Sequence, residues 1–137
     1  MSLLRLLLAG AVGGFVSIFT GWLLIGNLFH RYQRLTPDTW RPEGPTLYAM
    51  SSVVQVLAGA AVGLLFFVTG GAPSLAQAGW LTRGLVFGST VWLAVACPIH
   101  LVTAIYVKLH KGHVVGALLN SLVGLGITGC ACAFTVR

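Results

Sequence analysis

Long uncharged runs separated by short polar breaks set the pattern of this chain. A helix needs roughly 20 apolar residues, at about 1.5 Å each, to cross a hydrocarbon core. Residues 6–29, 84–107 and 113–135 each fit that length and hold no Asp, Glu, Lys or Arg. Between Glu43 and Arg83 no such residue occurs either, but Gly70, Gly71 and Pro73 interrupt the run and leave residues 48–68 as a fourth span. The pattern therefore predicts an all-α, polytopic membrane protein: a bundle of four transmembrane helices forming a single domain over residues 1–137. Arg5 before the first run resembles the start of a signal peptide. The run is longer than the roughly 7 to 15 residues of a signal core, so it is expected to be the first membrane helix.

The break between the first two spans holds most of the polar residues. Thr36-Pro37-Asp38 has the chemistry of a helix start: a capping hydroxyl, a proline where no N–H is needed, and an anion at the positive end of the helix dipole. A short interfacial helix is expected there, stopped by Gly44-Pro45 and anchored by Tyr32 and Trp40, whose amphipathic rings favour the headgroup region.

Helices in lipid associate through close backbone approach, which small residues permit. Gly10, Gly14, Ser17 and Gly21 form such a ridge on the first helix, Ser51, Gln55, Gly59 and Gly63 on the second, and Gly116, Asn120, Gly124 and Thr128 on the fourth. Gly10/Gly14, Gly59/Gly63 and Gly116/Gly124 are the expected packing positions. Helices 2 and 4 also share a spacing, Gln55 with Gly59 and Asn120 with Gly124, consistent with a duplicated hairpin.

Pro98 in the third run cannot donate to the Ala94 carbonyl and predicts a kink. His100 beside it shares a face with Ala96, Cys97, Thr103 and Ala104 and is expected to point inward. Gln55, His100 and Asn120 each lie seven residues from a predicted loop-side end. That depth, roughly 10 Å for all three, predicts a polar layer with Thr103 nearby. His100 is expected to reach one of the two amides. With no carboxylate in the spans, it should act as a hydrogen-bond donor and acceptor rather than a fixed cation. His30, His110 and His113 lie beside Arg or Lys and are expected to be solvated loop residues.

Composition agrees with the pattern. The chain is 57% hydrophobic and 7% charged, against about 25% charged in soluble domains. The net charge of +6 comes from eight Lys and Arg against Asp38 and Glu43. These cations flank apolar runs rather than gathering on one face, which speaks for membrane topology and against a nucleic-acid partner. Arg31, Arg34, Arg41, Lys108 and Lys111 lie in the loops after helices 1 and 3, and Arg5, Arg83 and Arg137 on the other side. The excess predicts that those two loops are cytoplasmic and both termini outside. Cys97, Cys130 and Cys132 form no metal or disulfide motif and are expected to be buried small hydrophobes, with no metal site.

The segment 81–128, with Gly84-Leu85-Val86-Phe87-Gly88, Val91-Trp92-Leu93 and Asn120, resembles a group of small bacterial four-helix integral membrane proteins that form a domain of unknown function; Trp22 and Leu28-Phe29 at the end of helix 1 resemble its pattern too. The resemblance implies four helices and a bacterial inner-membrane location, and it brings no activity with it.

The only acids share one loop, so no nucleophile, base and orienting group come together, and the chain is expected not to be an enzyme. The leading expectation is a non-catalytic membrane bundle in contact with the lipid bilayer, self-associating or serving as an accessory subunit of a larger membrane complex. A second is a small transporter or channel for a neutral or anionic solute, through Gln55, His100 and Asn120. A third is a haem or chlorin holder through His100; otherwise no cofactor is expected.

Overall fold

A computed structural model describes residues 2–71 and 73–136. Arg137, counted above among the basic residues, lies outside them. All secondary structure among the described residues is helical. Four helices are long and apolar enough to cross a membrane: α1 Leu3–Leu28, α2 Pro45–Val68, α3 Trp80–Tyr106 and α4 Lys111–Phe134.

Their ends differ from the sequence pattern for identifiable reasons. Pro45 opens α2 instead of stopping the segment before it, because a proline's fixed φ and missing N–H suit the first helical position. α3 starts ahead of Arg83. The Arg83 guanidinium reaches back to donate to the Gly71 carbonyl and, at 3.3 Å, to that of Gly70, so its charge does not delay the helix. Gly70 and Gly71 adopt φ of +66° and +64°, and the Gly71 N–H returns 2.7 Å to the Phe66 carbonyl. This left-handed pair ends α2. His110 caps α4 by accepting the Gly112 N–H at 3.0 Å.

Two helices carry widened π turns, Leu24–Leu28 in α1 and Trp92–Ala96 in α3. The second answers the expectation of a kink at Pro98. The Cys97 N–H bonds five residues back to Trp92, so the hydrogen-bond register has already shifted when the chain reaches the residue that has no donor.

The expected interfacial helix is reduced to a four-residue α turn, His30–Gln33, and a 3-10 turn, Pro37–Thr39. Thr36 makes no capping hydrogen bond; its hydroxyl instead accepts from the Trp40 indole at 3.3 Å. Tyr32 and Trp40 lie against α4 and the residue before it: Tyr32 stacks on His110 with centroids 4.7 Å apart, and Trp40 meets His113 edge-on at 4.5 Å. The segments after α1 and after α3 therefore share one end of the bundle, called the loop end below.

Missing side chains bring the helices together. A Cβ on Gly10 or Gly59 would overlap the carbonyl of the other, one on Gly63 would overlap that of Leu6, and one on Gly14 that of Gln55. α1 and α2 thus touch backbone to backbone. Gly84 and Gly88 of α3 make the same kind of contact with Leu125, Gly129 and Cys130 of α4. Gly116 and Gly124 turn toward the end of α1, where they receive Phe29, the residue after the helix, and Ser17 within it. The fully enclosed apolar core is small and lies away from the loop end. Leu6, Phe66, Cys132 and Ala133 are at most 1% exposed, and Phe66 meets Phe87 edge-on at 4.8 Å. Large apolar side chains elsewhere, such as Val68, Ile99 and Ile105, face outward.

Candidate functional site

α1, α2 and α4 diverge toward the loop end. Between them lies a cavity of about 740 Å³ whose wall includes Gly21, Ser51, Ser52, Gln55 and Asn120. Helical spacing accounts for the polar side: Ser51, Ser52 and Gln55 lie within one turn of one another on α2. Gly21 makes the room. A Cβ there would lie 3.7 Å from Asn120 Nδ2 and 4.0 Å from Gln55 Oε1, so the two amides converge over bare backbone.

The Gln55 side-chain amide has no hydrogen bond to another group among the described residues. Asn120 Oδ1 lies 3.3 Å from the Thr20 hydroxyl, which also donates to the Ser17 carbonyl at 2.9 Å. The amides therefore present unspent donors and acceptors to the cavity. Below them a second space of about 260 Å³ continues past Ser17 and Ser121 to Thr128, with Gln55 and Asn120 in its wall as well. The polar path ends there. Val62 forms part of its wall and packs against the core of Leu6, Phe66 and Cys132.

At the mouth stand Glu43, Tyr48 and His30. The Tyr48 hydroxyl donates to Glu43 Oε2, and His30 Nδ1 lies 3.8 Å from Oε1. Sequence reasoning described the path as free of acids; Glu43 joins it because Pro45, as the first residue of α2, holds the preceding segment beside the opening.

The expected polar layer is divided. Gln55 and Asn120 line one cavity, but His100 lines a different one, between α3 and α4, together with Thr103, Trp40 and His113. Among the described residues His100 makes no hydrogen bond to either amide. Equal depth did not bring the three groups together, because α3 runs beside α4 and meets α2 through Phe66 and Phe87, at the end away from the loops. His113, expected to be a solvated loop residue, is buried. Its place in the first turn of α4, under Trp40, decides that, and no charge pattern reveals it.

The cysteines are free; Cys132 is in the core, and Cys97 and Cys130 are half-buried. No group of three or more His, Cys, Asp or Glu able to hold a metal ion exists among the described residues. No protein-family model, curated protein or solved structure matches the chain.

Proposed function

We propose that this chain is a non-catalytic integral membrane protein that takes a small, neutral, polar solute into the cavity between α1, α2 and α4. The carrying observation is the convergence of Gln55 and Asn120 over Gly21, inside a space that opens at the loop end and stops at the apolar core. Amides left without protein partners in an apolar setting favour a guest that supplies hydroxyl or amide groups. Glu43, engaged by Tyr48 and 3.8 Å from His30, stands at the entrance with Arg34 and Arg41 close by, so no single charge draws an ion into the space. One-sided closure fits a binding protein or one state of a transporter better than an open channel.

A bacterial inner-membrane location is supported by the resemblance to small four-helix membrane proteins, and cytoplasmic loops after α1 and α3 by the excess of basic residues there. Self-association or an accessory-subunit role drew its support from the glycine ridges. Gly10, Gly14, Gly59 and Gly63 are used up within one chain, so that support weakens.

A thermal-shift screen of neutral polyols, sugars and amides on the protein in nanodiscs tests the reading, with Gly21→Leu as a filled-cavity control. A binder should raise the melting temperature of the unmodified protein, as ligand linkage requires, and leave Gly21→Leu unmoved. Equal shifts in both proteins would overturn it.

A further inference from the structure

The second cavity, about 310 Å³ between α3 and α4 at the loop end, is separate from the proposed solute site. Its volume is at the small end for ligand pockets, and its wall has their usual make-up: mostly apolar, with a few convergent polar groups. Val107, Val114 and Ala117 supply the apolar side, and His100, His113 and Thr103 the polar one. Trp40 closes it from the loop, its ring set edge-on to His113 and its indole N–H committed to Thr36.

Two features of this wall call for a guest. His113 is 8% exposed; its Nδ1 is enclosed without a hydrogen-bond partner, so the N–H belongs on Nε2, which no protein acceptor engages among the described residues. The His100 ring, facing the same space, has no hydrogen bond among the described residues. A neutral imidazole always carries one N–H, so the pair offers at least two donors. The acceptors opposing them are few: no carboxylate lines the cavity, and the Thr103 hydroxyl spends its proton on the Ile99 carbonyl at 2.8 Å.

We infer that this cavity binds a flat, uncharged ring bearing carbonyl oxygens, the chemistry of a quinone headgroup, with His100 and His113 donating to the carbonyls and Trp40 covering the ring. Flat faces of indole and imidazole suit a planar guest. The surrounding cationic residues, Arg41, Lys108 and Lys111, disfavour a positively charged one. The position at the ends of α3 and α4 matches the depth at which an amphiphile with a polar ring and an apolar tail holds its ring. A single ring fits the volume, whereas a tetrapyrrole needs far more room, which favours the smaller guest over the haem or chlorin of the third reading for His100.

The test is a titration of the full chain in nanodiscs with decylubiquinone, followed by tryptophan fluorescence and corrected for quenching in Trp40→Phe. Saturable quenching assigned to Trp40 is expected. Loss of one charge-neutral hydrogen bond weakens binding by roughly tenfold, so His100→Leu and His113→Leu should each do so, and His100→Gln should recover part of the loss. His30→Leu, in the other cavity, should change nothing. Decylbenzene, which has the tail and ring without carbonyls, should not saturate. The inference is overturned if quenching rises linearly without saturation, if decylbenzene competes equally, or if a folded His100→Leu variant binds as tightly as the unmodified chain. Should His113→Leu fail to fold, His100→Leu and His100→Gln alone decide the outcome.

Discussion

Glycine does two opposite things in this chain, and what faces the missing side chain decides which. At Gly59 a Cβ would run into the Gly10 carbonyl and the Gly14 backbone, whereas at Gly21 it would meet only side-chain atoms at 3.7 Å or more. Gly59→Ala should therefore push α1 and α2 apart and destabilise the fold by about 1–3 kcal/mol, as overpacking does elsewhere. Gly21→Ala should be neutral or stabilising by up to about 1 kcal/mol, from helix propensity. Equal melting temperatures for the two variants would show that the α1–α2 contact is not close. The spacing of Gly10, Gly14, Gly59 and Gly63 is readable in the sequence. Gly84 and Gly88 have the same spacing but escape notice because Arg83 marks Gly84 as a helix end, where glycine is ordinary punctuation. Likewise, hydropathy weighs His100 and His113 by their neighbours in sequence, and Trp40, which covers His113, lies far away in the chain.

At the scale of elements, charge and length suffice to find four long helices, because a run of about 20 apolar residues has few other uses. The π turns are not legible, since widening a helix by one residue leaves its hydropathy unchanged. In α3 that turn places the Trp92 indole N–H 3.0 Å from both the Leu118 carbonyl and the Ser121 hydroxyl, which ties α3 to the middle of α4. Trp92→Phe loses the donor together with one ring of the indole. The expected cost is at least about 1 kcal/mol, the lost hydrogen bond plus some packing, seen as a lower melting temperature; an unchanged one would mean the indole bond contributes nothing. The loop after α1 is held differently, by ring contacts of Tyr32 with His110 and Trp40 with His113. Trp40→Ala should speed amide exchange across residues 36–40 and the first turn of α4 while leaving α2 protected. Uniformly faster exchange would show instead that the whole bundle depends on this contact.

At the scale of the whole molecule, the proposed membrane span ties the mouth of the cavity and its far end to the two sides of a bilayer. The segments after α1 and α3 are at one end, joined by Tyr32, Trp40 and the Thr39 hydroxyl, which donates to the Lys108 carbonyl at 3.4 Å. If basic residues set orientation as they usually do, this end is cytoplasmic, and so is the mouth of the Gln55–Asn120 cavity at His30, Glu43 and Tyr48. On a background with Cys97, Cys130 and Cys132 replaced by serine or alanine, three single cysteines separate the claims. Asp38→Cys, in the loop, should react with an impermeant thiol reagent in inside-out vesicles and be silent in intact cells. Ser52→Cys, in the cavity wall, should follow the same pattern more slowly, and a bound solute should protect it. Thr128→Cys, buried beside the core at 3% exposure, should react from neither side. Labelling of Asp38→Cys in intact cells would invert the orientation and leave the cavity intact, because the loop and the cavity mouth would change sides together. Labelling of Thr128→Cys from the side opposite Ser52→Cys would be more damaging. It would mean that the apolar plug of Leu6, Phe66 and Cys132 opens, and that the path crosses the membrane as a conduit rather than ending as a binding site.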